Sequence, residues 1–149
     1  MLASTRSLDL SVRLIEHEPV SSLIEAAAAR GVEPADVIKT MVVRRGENDY
    51  LLVLVPGDRV ISWPKMRALL DVNRLSMPDA DEAFKVTGFQ RGTITPLGTK
   101  TPLPVIADER IRGRTVTIGA GEHNSAIAVN ADSLMAALAA QVADVTDSP

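Results

Sequence analysis

The sequence predicts one α/β (α+β) domain over residues 1–149, with a mixed, mostly antiparallel sheet and flanking helices. Three observations predict it. β-Branched runs such as Val37–Arg44 and Thr115–Gly119 are each followed by turn formers and a second apolar run, the pattern of hairpins. Alanine- and leucine-bearing stretches with capping residues lie between them and read as helices. Strict strand–helix alternation, which would build an all-parallel sheet, is absent. At 149 residues, 46% of them hydrophobic, the chain is long enough to bury one core. No repeat or linker divides it.

Met1–Ser7 is expected to fray. Leu10–His17 alternates apolar and polar residues and reads as a strand that Glu18-Pro19 ends. Val20–Arg30 reads as a helix: Ser21 or Ser22 caps it, Glu25 stands three residues after Ser22 as in a capping box, and Gly31 closes it. Pro34–Asp36 is a turn. Val37–Arg44 and Tyr50–Val55 are strands joined by a hairpin at Arg45–Asp49, the second apolar enough to be buried on both faces. A helix begins near Trp63-Pro64 with Ser62 as cap and runs to Leu70. Asn73–Ser76 reads as a short strand, and Pro78–Lys85 as a short helix whose acidic first turn suits the helix dipole. Val105–Ala107 is a strand, Arg110–Arg114 an exposed basic turn, and Thr115–Gly119 and Ser125–Val129 a strand pair around a glycine turn. Asn130–Val142 is the last helix, with Asp132 or Ser133 near its cap; Ala143–Pro149 adds an edge strand or frays.

Composition excludes several chemistries. There is no cysteine, so there is no disulfide, thiolate metal site or cysteine nucleophile. Two histidines, His17 and His123, are too few for a histidine-rich metal site, so none is expected. No run approaches the ~20 apolar residues of a membrane span, and no signal-peptide core stands at the N-terminus, so a cytoplasmic address is expected. A net charge of −3 argues against bulk electrostatic binding of nucleic acid. The middle of the chain is slightly basic between acidic ends, and Arg44, Arg45, Arg59, Lys65, Arg67 and Arg74 form either a weak phosphate-contacting face or ordinary solvated charge.

Three stretches carry candidate chemistry. Val86–Asp108 crowds Gly88, Gly92, Gly98, Pro96, Pro102 and Pro104 among apolar residues, which marks an ordered, sharply turning loop centred on Gly92-x-x-x-Pro96. It is either a crossover between strands or a backbone-lined pocket wall. Lys39 sits in a strand otherwise made for burial; it either faces solvent opposite an acid or is a fixed cation at a pocket edge. Gly119–Asn124 is either a plain hairpin loop or a second pocket border. It leads into a strand, so it is not a dinucleotide-binding fingerprint, and no P-loop exists.

Together, Lys39-Thr40 in VIKTMVV, TGFQRGTITPLG, PLGTKTPLPVIAD and the glycine turn before SAIAVNADSL resemble the YbaK/ProX group of aminoacyl-tRNA editing domains, relatives of the editing insertion of bacterial prolyl-tRNA synthetase. The resemblance runs in order from Leu14 to the last helix. It implies a barrel-like sheet and a free-standing deacylase that hydrolyses the ester between a wrong amino acid and the terminal ribose of a tRNA, typically tRNA(Pro). It makes Lys39 the central residue, Gly92–Pro96 (with Thr93 and Ile94) the wall of the aminoacyl pocket, and Gly119–Asn124 its border, with Thr40 and Ser125 beside them. Backbone N–H groups of Gly92 or Gly121 could orient water or stabilise the tetrahedral oxyanion. No cofactor or metal is implied. Members specialised for cysteine carry, in this alignment, a serine at Gly119 and an aspartate at Ala126. This chain instead has Glu122-His123-Asn124, so removal of Ala, Ser or Thr is at least as expected as removal of Cys, with His123 and Asn124 reading the amino acid. The expected partner is the acceptor end of a mischarged tRNA, with prolyl-tRNA synthetase or an elongation factor as helpers and no membrane. Size suggests a monomer. The competing reading is a non-catalytic module that holds a nucleotide or small anion in the same pocket.

Overall fold

The computed structural model describes residues 10–149, so the fraying expected of Met1–Ser7 lies outside it. In chain order the elements are β1 (Val12–Glu16), α1 (Leu23–Arg30), β2 (Ile38–Gly46), β3 (Asp49–Pro56), β4 (Val60–Ile61), α2 (Trp63–Leu70), α3 (Ala80–Thr87), β5 (Val105–Asp108), β6 (Thr115–Gly119), β7 (Ser125–Asn130), α4 (Ala131–Ala137), β8 (Gln141–Ala143) and β9 (Thr146–Asp147). The mixed α/β architecture is the expected one.

Local chemistry sets the helix ends. The Ser22 hydroxyl accepts from the Glu25 N–H at 3.1 Å, and the Glu25 carboxylate reaches back to the Ser21 N–H at 2.7 Å. That reciprocal pair fixes the start of α1, and Gly31 closes it at φ 73°. At α2 and α3 a single bond fixes the start: the Ser62 side chain accepts from the Lys65 N–H and the Asp79 side chain from the Glu82 N–H.

Antiparallel strands form the sheet β1-β7-β6. The sheet β2-β3-β5-β8 is mixed: β2 runs antiparallel to β3, while β5 and β8 add in parallel. β4 and β9 pair separately. Among the described residues a single parallel bridge, Val37 to Thr117, links the two larger sheets, so they stay open and do not close as a barrel. β3 is buried on both faces, as its composition predicts. Leu52 and Leu54 pack with Ile118, Ile127 and Leu134 on one side; Leu51, Val53 and Val55 pack with Met66 and Ile106 on the other. Each such side chain contributes about 1.5–3 kcal/mol by burial.

Three expectations are corrected. Asn73–Ser76 forms no strand; only Ser76 bridges to Arg44. Arg110–Arg114 is more than an exposed turn: Ile111 is fully buried, and Arg110 reaches Asp108 and Asp144 at 3.1 and 2.8 Å. The last helix stops at Ala137, and Val142 lies in β8. The cause is tertiary. Buried Asp108 accepts from the Val145 N–H at 3.2 Å and the Thr146 hydroxyl at 3.0 Å, which holds the tail as strand beside β5. The helix ends with Ala139 in the left-handed region at φ 50°. No helix among the described residues is long and apolar enough to cross a membrane.

Candidate active site

β2 is an edge strand, and its edge is interrupted. At one end Val37 bridges to Thr117; at the other the Arg44 N–H donates to the Ser76 carbonyl at 2.8 Å and the Arg44 carbonyl accepts from the Ser76 N–H at 3.1 Å. The amide groups of Arg44 therefore point away from β3. Alternate residues of an antiparallel strand point their amides the same way, and the register between Ile38 and Arg44 is unbroken. Thr40 and Val42 thus turn their N–H and C=O groups outward, and among the described residues no backbone group meets them.

A cavity of about 560 Å³ fills that gap. β2 lines one side from Ile38 to Val42; Met77–Ala80 and Ala83 line another; Gly92, Ile94 and Gly119 line a third. Lys39, Thr40, Gly92, Ile94 and Gly119, all expected site residues, therefore meet in one place.

Lys39 is half-buried, and its Nζ donates to the Arg59 carbonyl at 2.6 Å. One of its three donors is used, which leaves two for a ligand. No carboxylate among the described residues pairs with it; burial pushes its ammonium below the usual lysine value, and the more distant Asp58 pulls the other way. The Thr40 hydroxyl is buried without a partner. Gly92, at φ 85°, leaves its N–H without a partner among the described residues.

Arg30 is the residue that sequence reasoning missed. It lines the cavity, donates from one terminal nitrogen to the Thr117 hydroxyl at 3.1 Å, and leaves a buried Nε without a partner. It forms no ion pair with a described residue, and burial lowers its pKa. In sequence it reads as the cation that suits a helix C-terminus, which hides its second role. Arg91 and Asp79 also line the cavity and were not singled out. Asp79 is occupied as the cap of α3, accepting from the Glu82 N–H at 2.8 Å.

The two candidate loops are fastened to each other. The Gly121 N–H donates to the Thr93 carbonyl at 3.0 Å, so the donor expected to face an oxyanion is already taken, and Gly121 does not line the cavity. A Cβ on Gly119 would stand 2.6 Å from the Ile94 carbonyl oxygen, which explains why a glycine is required where the loops touch. Thr93 is buried, with its hydroxyl donating to the Gln90 carbonyl at 2.7 Å; Pro96 is buried behind it. His123 contacts the exposed Gln90 side chain at 3.3 Å, the Asn124 carbonyl accepts from the His17 N–H at 2.9 Å, and the Ser125 hydroxyl donates to the Glu122 carbonyl at 3.4 Å. None of Thr93, Pro96, His123, Asn124 or Ser125 lines the cavity. The Gly121–Thr93 bond ties the glycine turn to the Gly92–Pro96 wall.

The surface cations divide. Arg44 lies near Glu82, Arg45 pairs with Asp49, Lys65 pairs with Asp144 and Asp147, and Arg59 donates to Thr146. Arg67 and Arg74 pair with no carboxylate among the described residues.

Residues 17–137 match the sequence profile of a family described as the aminoacyl-tRNA editing domain. Proline–tRNA ligase of Bacillus licheniformis is 30% identical over 97 residues, 64% of this chain and 17% of the ligase. The ligase of Trichlorobacter lovleyi is 32% identical over 108 residues, 71% of this chain and 19% of the ligase. The chain therefore spans less than a fifth of these relatives. Among solved structures, a hypothetical protein superposes at TM-score 0.90 with 26% identity, covering 98% of each chain. Another, named provisionally as a trans-editing enzyme for prolyl-tRNA synthetase, superposes at TM-score 0.86 with 28% identity, covering 97% of this chain and 93% of its own.

Proposed function

The chain belongs to the aminoacyl-tRNA editing domain family, and on that premise we propose that residues 1–149 act as one editing domain that removes a small wrong amino acid (Cys, Ala, Ser or Thr) from tRNA(Pro). The observation that carries the reading is the coincidence of Lys39 with the unpaired edge of β2 in one cavity. The outward N–H groups of Thr40 and Val42 stand about 7 Å apart, so an ester carbonyl oxygen lying along that edge accepts from one of them and from the free donors of Lys39. These are the groups that stabilise an oxyanion.

The reaction then needs little else. Water adds to the carbonyl carbon, negative charge gathers on the carbonyl oxygen beside Lys39, and the tetrahedral species collapses. The ribose oxygen leaves and takes the proton that water gave up. Gly92, with its free N–H, is a further donor to the same oxygen or to the attacking water. The Arg30 guanidinium and the Thr40 hydroxyl offer hydrogen bonds within the pocket, which favours serine and threonine esters over alanine among the four.

The test is hydrolysis of tRNA(Pro) carrying Cys, Ala, Ser or Thr by wild type and by Lys39→Ala. Release of at least one amino acid by wild type, with a loss of at least a hundredfold in the folded variant, is the expected outcome. Equal turnover by both removes Lys39 from the chemistry. No turnover by wild type favours the non-catalytic module, for which the uncompensated Arg30 is an anion anchor.

A further inference from the structure

A second, smaller depression of about 220 Å³ adjoins the main cavity. Trp63, Val60 and Ile61 line it, together with three residues that it shares with the main cavity: Lys39, Met41 and Met77. No acidic side chain lines it. Trp63 is the only tryptophan in the chain and opens α2, placed by the Ser62 cap and by Pro64 in the first turn. Val60 and Met77 stay exposed at the rim, at 44% and 47%. Arg67 follows Trp63 by four residues, so the two share one face of α2, and Arg67 has no carboxylate partner among the described residues.

Lys39 stands where the two spaces meet. An aminoacyl ester is one covalent unit, so an acyl group held in the main cavity with its carbonyl at Lys39 must carry its ribose and base out past that lysine. The adjoining depression, apolar and walled by an indole, lies there. A nucleobase has the matching chemistry: a flat π-face that stacks on aromatic side chains, with a phosphate nearby for a free guanidinium.

We propose that this depression is the subsite for the purine base of the terminal nucleotide, with Trp63 as its stacking wall and Arg67 facing the adjoining phosphate. The inference rests on the editing reading of the main cavity, and two measurements separate them.

Trp63 is its own reporter. Titration of wild type with AMP is expected to change its fluorescence saturably, ribose 5-phosphate is expected to change it little, and Met77→Asp is expected to weaken the AMP response. No saturable change with AMP, or an equal change with ribose 5-phosphate, overturns the subsite whether or not esters are hydrolysed. In the deacylation assay, Trp63→Ala is expected to raise KM about tenfold or more with kcat held, and Trp63→Phe to restore it. An unchanged KM in folded Trp63→Ala also overturns it. If wild type hydrolyses no ester while AMP still binds, the editing reading fails and the base subsite stands.

Discussion

Lys39 and Arg30 carry unpaired charge into the same cavity, and each makes a prediction. Burial holds the Lys39 ammonium below its ordinary 10.5, with Asp58 offsetting part of the shift. If the ammonium polarises the ester, kcat/KM falls on the alkaline side at a pH below 10.5, and a Lys39→Arg variant, which stays charged, loses that limb. Stability has the opposite sign. The folded chain holds this proton less tightly than the unfolded one, so the Lys39 contribution rises as pH climbs through the folded value toward 10.5. Arg30→Leu removes one hydrogen bond to Thr117 and also a poorly compensated charge, two effects of opposite sign on stability. Its melting temperature is therefore expected to stay within a few degrees of wild type, while kcat/KM for the best ester falls about tenfold to a hundredfold, as loss of a charged hydrogen bond implies. Unchanged turnover would reduce Arg30 to a tie between α1 and β6. Lys39 was legible in sequence because an ammonium is conspicuous in an apolar strand. Arg30 was not, because its partner Thr117 lies 87 positions away.

Elements governed by local chemistry could be read directly. The Ser22, Ser62 and Asp79 caps and the β2–β3 and β6–β7 hairpins depend on residues within a few positions of one another. The end of α4 depends on Asp108, far away in sequence, and the helical pattern through Val142 gave no sign of it. That end has a testable weakness. Ala139 sits at φ 50°, where the Ala140 N–H reaches back to the Met135 carbonyl at 2.9 Å in a glycine-type helix stop. Ala139→Gly relieves a left-handed strain of about 1–2 kcal/mol and adds unfolded-state entropy worth somewhat less. The expected result is a gain of up to about 1 kcal/mol, read as a higher urea midpoint with unchanged slope; a lower midpoint would show that Ala139 is not strained.

Across the whole molecule, charge is ordinary in amount, and ion pairs among the described residues tie down part of it. With a net −3 and four of the six candidate basic-face residues tied down, we expect phosphate contact from Arg67, beside Trp63 on α2, and from Arg91, on the main cavity. Two phosphate contacts to a single-stranded end predict a log–log slope of KM against salt of about 1.4. A slope several times larger would mean that the tRNA body is gripped elsewhere. The family was legible at this scale because its motifs fall on β2, on the Gly92–Pro96 wall and on the β6–β7 turn, all of which meet in space. The division of labour among those motifs was not legible. Gly121, His123, Asn124 and Ser125 follow the pattern in sequence, yet none lines the cavity: Gly121 and His123 bond to Thr93 and Gln90, and Asn124 and Ser125 bond to His17 and Glu122.

The interrupted edge of β2 has one more consequence, for self-association. An unpaired strand edge is a template on which another chain can add. Here the bridges at Val37 and Arg44 confine the open edge to Thr40 and Val42, shorter than the several residues that a stable added strand needs. The opening is thus too short for an invading polypeptide strand, so this edge does not invite sheet growth between copies.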